Sequence, residues 1–171
     1  MTDFFSKIIL DLQERISAEV PEIRYIDQNL GQLGQISDED SPPLSYPAVL
    51  IDFPDTSFSN LSSNIQLGNP SISFLLVFET HSQTWHQSPK DVRINGLNYL
   101  TIEQKLHKAL QGFTSDYFAP LSRKSVRSQN NNDVGLRVRE LTYSTEFEDW
   151  SLDDATSTEF EIVFNGSLKA N

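Results

Sequence analysis

The first helix is predicted over residues 3–19, where apolar positions recur every three or four residues. The residues that form this stripe are Phe5, Ile8, Ile9, Leu12 and Ile16. Thr2 or Asp3 is suited to cap the first turn, and Pro21 is suited to end the helix. The opening of the chain therefore predicts an amphipathic helix that packs one face against a core.

A second amphipathic helix is predicted over residues 97–111, with Gly112 at the position where a helix commonly ends. Its apolar stripe consists of Ile102, Leu106, Ala109, Leu110 and Phe113. The preceding residues 81–96 are mostly polar, and we interpret them as a connection.

Strand patterns occupy the middle of the chain. Residues 48–53 are a nearly continuous apolar run that predicts a strand buried on both faces. Residues 72–78 give the strongest strand pattern. With Gly68-Asn69-Pro70 as a turn signal, we predict a long hairpin of residues 57–67 against 71–80.

The remaining segments are weaker. Residues 23–26 can form a short strand, and residues 27–47 read as a long loop, which is unusual unless it has a binding role or is partly disordered. In a strand over 136–147 the apolar phase changes, which predicts a bulge near Arg139 or Glu140. Residues 129–133 mark a loop, and residues 160–164 alternate as a last strand.

This order predicts an α+β fold: a mainly antiparallel sheet with a long hairpin and two helices packed on one face. A length of 171 residues suits one domain over residues 1–171, with 27–47 as a long loop. The absence of cysteine excludes disulfides and thiolate metal sites. No apolar run is long enough to cross a bilayer, and the first residues do not resemble a signal peptide, so a cytosolic location is the default expectation.

No catalytic, cofactor or metal site is predicted. His81 and His86 lie in the polar connection, and His107 is expected at the surface of its helix. The chain has neither a nucleophile-elbow motif nor a phosphate loop followed by lysine. The acidic run 38–40 lacks the spaced ligands of a calcium loop, and the pair Glu146 and Glu148 is expected in solvent.

Charge is distributed unevenly along the chain, and its net value of −11 disfavours nucleic-acid binding. Residues 25–89 carry seven acids and no Lys or Arg, residues 123–139 carry five bases and one acid, and residues 140–161 carry eight acids and no base. Two interpretations stay open: neighbouring strands pair their charges, or one molecule carries two complementary surfaces for head-to-tail contact.

For the second interpretation, the candidate interface has a basic and an acidic side. The basic side consists of Arg123, Lys124, Arg127, Arg137 and Arg139. The acidic side consists of Glu146, Glu148, Asp149, Asp153 and Asp154. Reversing Arg137 and Arg139 to Glu is predicted to weaken assembly and leave the monomer folded.

The layout resembles the tail terminator, or tail completion, proteins of tailed bacteriophages and prophages. The resemblance spans about residues 3–165 and is carried by Tyr-Pro-Ala-Val-Leu-Ile (46–51), Phe-Leu-Leu-Val-Phe-Glu-Thr (74–80) and the strand Val-Arg-Glu-Leu-Thr-Tyr-Ser-Thr-Glu-Phe (138–147). It implies a non-enzymatic virion subunit, without a cofactor, that forms a hexameric ring and joins the tail tube to the neck. Such a subunit would reach the virion tail after assembly in the host cytoplasm.

Other functions stay open from the sequence. The chain can instead be another head–tail connector or a protein-binding adaptor without catalytic activity. An enzyme with a carboxylate site is the third alternative. Under the tail interpretation, the surplus of negative charge would let DNA pass through a ring without sticking to it.

Overall fold

A six-stranded sheet with helices on one face dominates the described structure, a computed structural model that covers residues 3–34, 44–79, 84–129 and 135–152. The helices are α1 (Phe4–Glu19), α2 (Lys90–Gly96) and α3 (Asn98–Leu110), and a 3-10 turn spans Gln32–Gly34. The strands are β1 (Tyr25–Gln28), β2 (Ala48–Asn60), β3 (Gln66–Phe78), β4 (Ser122–Gln129), β5 (Arg137–Ser144) and β6 (Phe147–Asp149).

The sheet order is β1-β2-β3-β5-β4, and β6 continues beside β3 beyond the end of β5. Only β1 and β2 run parallel; every other pair of described strands is antiparallel. The predicted α+β class with a mainly antiparallel sheet and a long hairpin is confirmed.

Helix α1 begins where Asp3 caps its first turn. The Phe5 backbone N–H donates to Asp3 Oδ1 at 2.8 Å, and the Ser6 hydroxyl donates to Oδ2 at 2.7 Å. Such a cap satisfies amide groups that have no partner within the helix. Ile8, Leu12 and Ile16 are fully buried, as their helical spacing predicts.

Both long helices pack on the same face of the sheet. This main core joins α1 and α3 to alternate residues of the central strands, among them Val49, Ile51, Ile72, Phe74, Leu76, Leu141 and Tyr143. At the end of α3, Gly112 has a φ of +76°, a conformation that favours glycine, and its N–H donates to the Leu121 carbonyl at 2.8 Å. The central strands of the sheet are therefore packed against two helices, α1 and α3.

A smaller cluster lies on the opposite face of the sheet. It consists of Ala48, Leu50, Leu75, Val77 and Val138, with Tyr25, Leu33, Tyr46 and Leu136 packed around it. Residues 48–51 of β2 are therefore buried on both sides, as predicted, whereas Asp52 and Phe53 are half-buried.

The predicted hairpin turn is wrong. The chain turns at residues 61–65, where the backbone N–H groups of Leu61 and Ser62 donate to the Ile65 carbonyl. Gly68, Asn69 and Pro70 lie inside β3 and pair with β2. Gly68 is needed there because a Cβ would overlap the Phe147 ring, and Pro70 lies opposite the interruption between β5 and β6.

Several other boundaries differ from prediction. The register between β3 and β5 is continuous, so no bulge occurs at Arg139 or Glu140; Val138 and Leu141 simply face opposite sides. The polar connection contains α2, the first strand lies at 25–28 rather than 23–26, and β4 had no predicted counterpart. The predicted strand at 160–164 and the loop core at 35–43 lie outside the described residues.

Candidate functional site: a hairpin arm and an aromatic groove

The outer half of the β2–β3 hairpin extends past β1 on one side and past β5 on the other, where β6 pairs with residues 66–68 of β3. Strand β1 pairs only with residues 48–51 of β2, and β5 pairs only with residues 71–78 of β3. We call residues 56–70 the hairpin arm. Among the described strands, none pairs with the outer side of β2 in the arm.

The surface of the hairpin arm is uncharged and partly apolar. No charged residue occurs from Thr56 to Phe78. Phe58 is 46% exposed and Leu61 is 53% exposed. An open strand edge without charge is a ready template for pairing with another chain, because its backbone N–H and C=O groups lack strand partners.

The arm begins at an irregularity in β2. The register of β2 against β3 shifts between Asp52 and Asp55, and Pro54 lies within the shift. Proline has no N–H to donate to a neighbouring strand, so it is tolerated at such irregular positions. The shift separates the buried half of the hairpin from the arm.

A cluster of aromatic rings supports the base of the arm. Phe4 stacks on Phe147 with ring centres 3.6 Å apart, and Phe58 meets the same Phe147 ring edge-on at 6.1 Å. Phe5 contacts Phe53 edge-on at 5.0 Å. The first turn of α1, the arm and β6 are therefore joined through one set of rings.

Two adjoining concavities open beside these rings, with volumes of about 470 and about 500 Å³. Both are lined by Tyr117, Phe147, Glu148 and Trp150, and Phe58 lines the first. Trp150 is 49% exposed. We call this continuous surface the aromatic groove.

Carboxylates surround the aromatic groove. They are Asp3, Asp116, Glu146, Glu148 and Asp149, and the only cation among the lining residues is Lys7. Asp3 is engaged in capping α1, and the Ser6 hydroxyl bond is the main cause that lowers the pKa of its carboxyl. The other four form an acidic rim.

Polar contacts inside the aromatic groove fix its shape. Tyr117 donates to Asp11 Oδ2 at 2.6 Å, and burial together with this bond raises the pKa of Tyr117. The Lys7 ammonium lies 4.4 Å from the Tyr117 ring centre. Trp150 Nε1 donates to Glu148 at 3.1 Å. The groove thus offers aromatic faces beside carboxylates, which suits a long cationic side chain.

The structure brings together three of the five predicted acidic interface residues. Glu146, Glu148 and Asp149 all line the aromatic groove. Asp153 and Asp154 lie outside the described residues. The aromatic members of the groove were not predicted, because they come from distant parts of the chain and only the register of the arm brings Phe58 to Phe147.

Three of the five predicted basic residues lie together on the outermost strand β4. Arg123, Lys124 and Arg127 are exposed, and none forms an ion pair with a described carboxylate. We call them the basic edge. Lys124 lies at a register shift between Arg123 and Ser125, which turns it out of the regular alternation.

Arg137 and Arg139 are held within the molecule instead. Arg139 Nε and Nη2 donate to the two carboxylate oxygens of Glu103 on α3, at 2.5 and 3.1 Å. Arg137 lies over the Tyr99 ring at 5.0 Å. Because Arg139 has a half-buried internal partner, its reversal to Glu would place two carboxylates together, so the predicted double reversal does not test assembly cleanly.

His107 is half-buried rather than at the surface. Its Nδ1 lies 2.9 Å from the Tyr143 hydroxyl. Burial and the nearby Arg123 guanidinium lower the pKa of His107, and burial raises the pKa of Tyr143 to about 12. This pair links α3 to β5 and lines neither concavity of the groove.

The described part of the chain gathers no other candidates for chemistry into a site. His86 is exposed, whereas His81 and the acidic run 38–40 lie outside the described residues. In the described ranges, no three His, Cys, Asp or Glu side chains are placed to hold a metal ion. The helices of these ranges are all too short or too polar to cross a membrane.

Comparison with known proteins identifies no family for this chain. No protein-family model matches the chain, and no curated protein matches it. Among solved structures, the chain is similar to one chain of a "Virion of native gene transfer agent (GTA) particle", with a TM-score of 0.48 and 8% identity, over 82% of this chain and 92% of that chain. Because the TM-score is below 0.5, this similarity establishes neither a shared fold nor a shared function.

Proposed function

We propose that this chain is a structural subunit of a phage-type virion, which self-assembles into a ring at the end of a tail tube as a tail terminator does. The observation that carries the proposal is the hairpin arm: an uncharged pair of strands with one edge that no described strand covers. Proteins commonly protect exposed strand edges with charge or proline, because an open edge can pair with another chain. An edge without this protection therefore favours a role in assembly.

The arm is well suited to contact another protein through its backbone. An extended segment of a partner can add a strand to an open edge, so that main-chain hydrogen bonds supply affinity. Phe58 and Leu61 add exposed apolar surface next to that edge. A tail tube end and a neighbouring subunit are both partners of this kind.

The element order supports the tail assignment. The observed sequence of an N-terminal helix, a long hairpin, a second long helix and final strands follows the layout on which the resemblance to tail terminators is based. The net charge of −11 is compatible with a ring through which DNA passes, because a negative surface repels phosphates.

The proposal is tested with tail tubes polymerised from the tube protein encoded in the same gene cluster. Wild-type protein is expected to bind the tube ends as rings in negative-stain electron microscopy. The variant Ser57→Lys/Ser59→Lys adds two charges to the open edge of the arm, at exposed positions, and is expected to lose this binding.

The matched control is Ser17→Lys/Ala18→Lys, which adds the same charge at two exposed positions of α1. It is expected to bind tube ends as the wild type does. Rings or caps that form equally well with both variants would remove the arm from the contact. Tube ends that stay bare with wild-type protein would overturn the tail terminator role itself.

A further inference from the structure

We infer that the aromatic groove is the receiving surface of a head-to-tail contact, and that its occupant is the basic edge of a second copy of this chain. This inference rests on the proposed self-assembly and deepens it, because it names the two surfaces that meet. The residues that carry it are the exposed aromatic rings, their acidic rim and the unpaired cations of β4.

The groove is chemically complementary to long cationic side chains. Trp150 and Phe58 are each nearly half exposed and border a concavity of about 470 Å³. A guanidinium or ammonium group is attracted to an aromatic face and to a carboxylate, and the groove offers both within one surface. Inside the molecule this preference is already visible, since Lys7 lies over Tyr117.

The basic edge supplies such side chains on the outermost strand of the sheet. Arg123, Lys124 and Arg127 are exposed and lack ion pairs with described carboxylates. By contrast, Arg139 and Lys105 are paired with Glu103 and Glu22. The basic edge is thus the cationic surface that remains available to a partner.

The two surfaces lie on different strands of one molecule, which makes the contact heterologous. The basic edge is on β4, the outermost strand, whereas the groove lies at β6 and the base of the arm. A contact between unlike surfaces leaves one of each free on every pair, so it propagates until a ring closes. A second copy therefore fits the groove better than an unrelated cation would.

The inference is tested by exchanging charges between the two surfaces. The groove variant is Glu146→Lys/Glu148→Lys, and the edge variant is Lys124→Glu/Arg127→Glu; all four positions are exposed. Each variant alone puts like charges against each other and is expected to weaken self-association by about tenfold or more, in sedimentation velocity at low salt. Circular dichroism checks that both remain folded.

A one-to-one mixture of the two variants is expected to restore association. The lysines of one variant then face the glutamates of the other, and the remaining wild-type surfaces of the pair also match. A chain that carries all four substitutions should associate with itself for the same reason. The control Glu14→Lys/Asp91→Lys changes the charge by the same amount at exposed positions outside the groove and should associate as the wild type does.

Three results would overturn the inference, and they separate it from the proposed function. Wild-type protein that associates, with single variants that associate equally or a mixture that stays as weak as its components, removes the groove but leaves the assembly. Loss of tube binding without loss of self-association assigns the groove to the tube protein. Wild-type protein that neither associates nor binds tubes overturns both proposals.

Discussion

The inner and outer halves of the β2–β3 hairpin differ in how deeply their side chains are buried. Up to Asp52, β2 is buried on one or both faces, and the paired residues of β3 are buried with it. Beyond Asp55, β2 becomes mostly exposed, whereas its partner residues on β3 are half-buried or buried, and both strands stay uncharged. Burial explains the apolar residues of the inner half, but it does not explain Phe58 and Leu61 in the arm.

This difference teaches which apolar residues are needed for folding and which are available for contact. Phe74 is fully buried against Tyr143, with ring centres 5.5 Å apart, whereas Phe58 contacts Phe147 with almost half of its surface exposed. Removing the Phe74 ring leaves a cavity in the core. Removing the Phe58 ring mainly takes away apolar area that is already exposed to solvent. The two positions thus separate stability from assembly.

The largest effect is expected for Phe74→Ala. Truncating a buried ring of this kind costs about 3–5 kcal/mol, since the core collapses only partly around the cavity. Phe58→Ala is expected to cost less than about 1 kcal/mol and to weaken assembly instead. Urea unfolding measures the first effect and sedimentation the second. Equal losses of unfolding free energy in both variants would contradict the division of the hairpin into a core half and an arm.

A smaller loss is expected for Gly68→Ala at the base of the arm. The new Cβ would overlap the Phe147 ring, so the ring or the strand must shift, at a cost of about 1–3 kcal/mol. Because Phe147 also supports the aromatic groove, the variant should weaken self-association as well. Gly34→Ala is the control, as a Cβ there meets open space. Unchanged thermal stability of the Gly68 variant would show that the ring yields freely.

The half-buried ion pair between Arg139 and Glu103 is expected to matter for stability and not for assembly. Glu103→Gln keeps the shape of the side chain and removes its charge, which should cost about 1–2 kcal/mol through the weakened bonds to the guanidinium. Urea unfolding measures this loss. If self-association falls while the free energy of unfolding is unchanged, Arg139 belongs to the interface after all.

The smallest effect is a dependence of stability on pH at His107. The pKa of His107 is lowered in the folded protein. As the pH falls, the imidazole of the unfolded chain, with an ordinary pKa of about 6.5, therefore takes up a proton before that of the folded chain does. The stabilising contribution of the neutral ring is therefore present above that value and is lost as the pH falls toward the folded pKa.

The variant His107→Gln should flatten this dependence. Between about pH 7 and about pH 5.5, wild-type protein is expected to lose more of its unfolding free energy than the variant does. His86→Gln, at an exposed position, serves as the control and should behave as the wild type. Identical pH profiles for all three proteins would exclude a contribution from the burial of His107.

The parts of the fold with strong periodicity could be predicted from sequence. Asp3 as a cap, the buried stripe of α1 and the doubly buried start of β2 all follow from local spacing and residue type. Strand β4 could not, because Val126 is its only apolar residue and charged edges give no alternation. The turn prediction was wrong because tertiary packing, and not a turn, accounts for Gly68 and Pro70. The Phe147 ring packs on Gly68, and Pro70 lies beside the gap between β5 and β6.

Of the residues in the candidate site, only the charged ones could be selected from the sequence. Local composition was enough to select Glu146, Glu148 and Asp149 and, separately, the cations of β4. The rings between those carboxylates are brought together by strand register and by the first turn of α1, which no local pattern encodes. The internal ion pair of Arg139 could not be predicted for the same reason, because its partner Glu103 lies 36 residues away on α3.

The mass of the protein in solution tests the central claim, which is that this chain is built to associate with itself. Sedimentation velocity would compare wild-type protein with Glu146→Lys/Glu148→Lys at rising concentration and low salt. We predict a wild-type mass that reaches a multiple of 19.4 kDa and a groove variant that needs about tenfold more protein to do so. A wild-type protein that remains at 19.4 kDa at every concentration would contradict it.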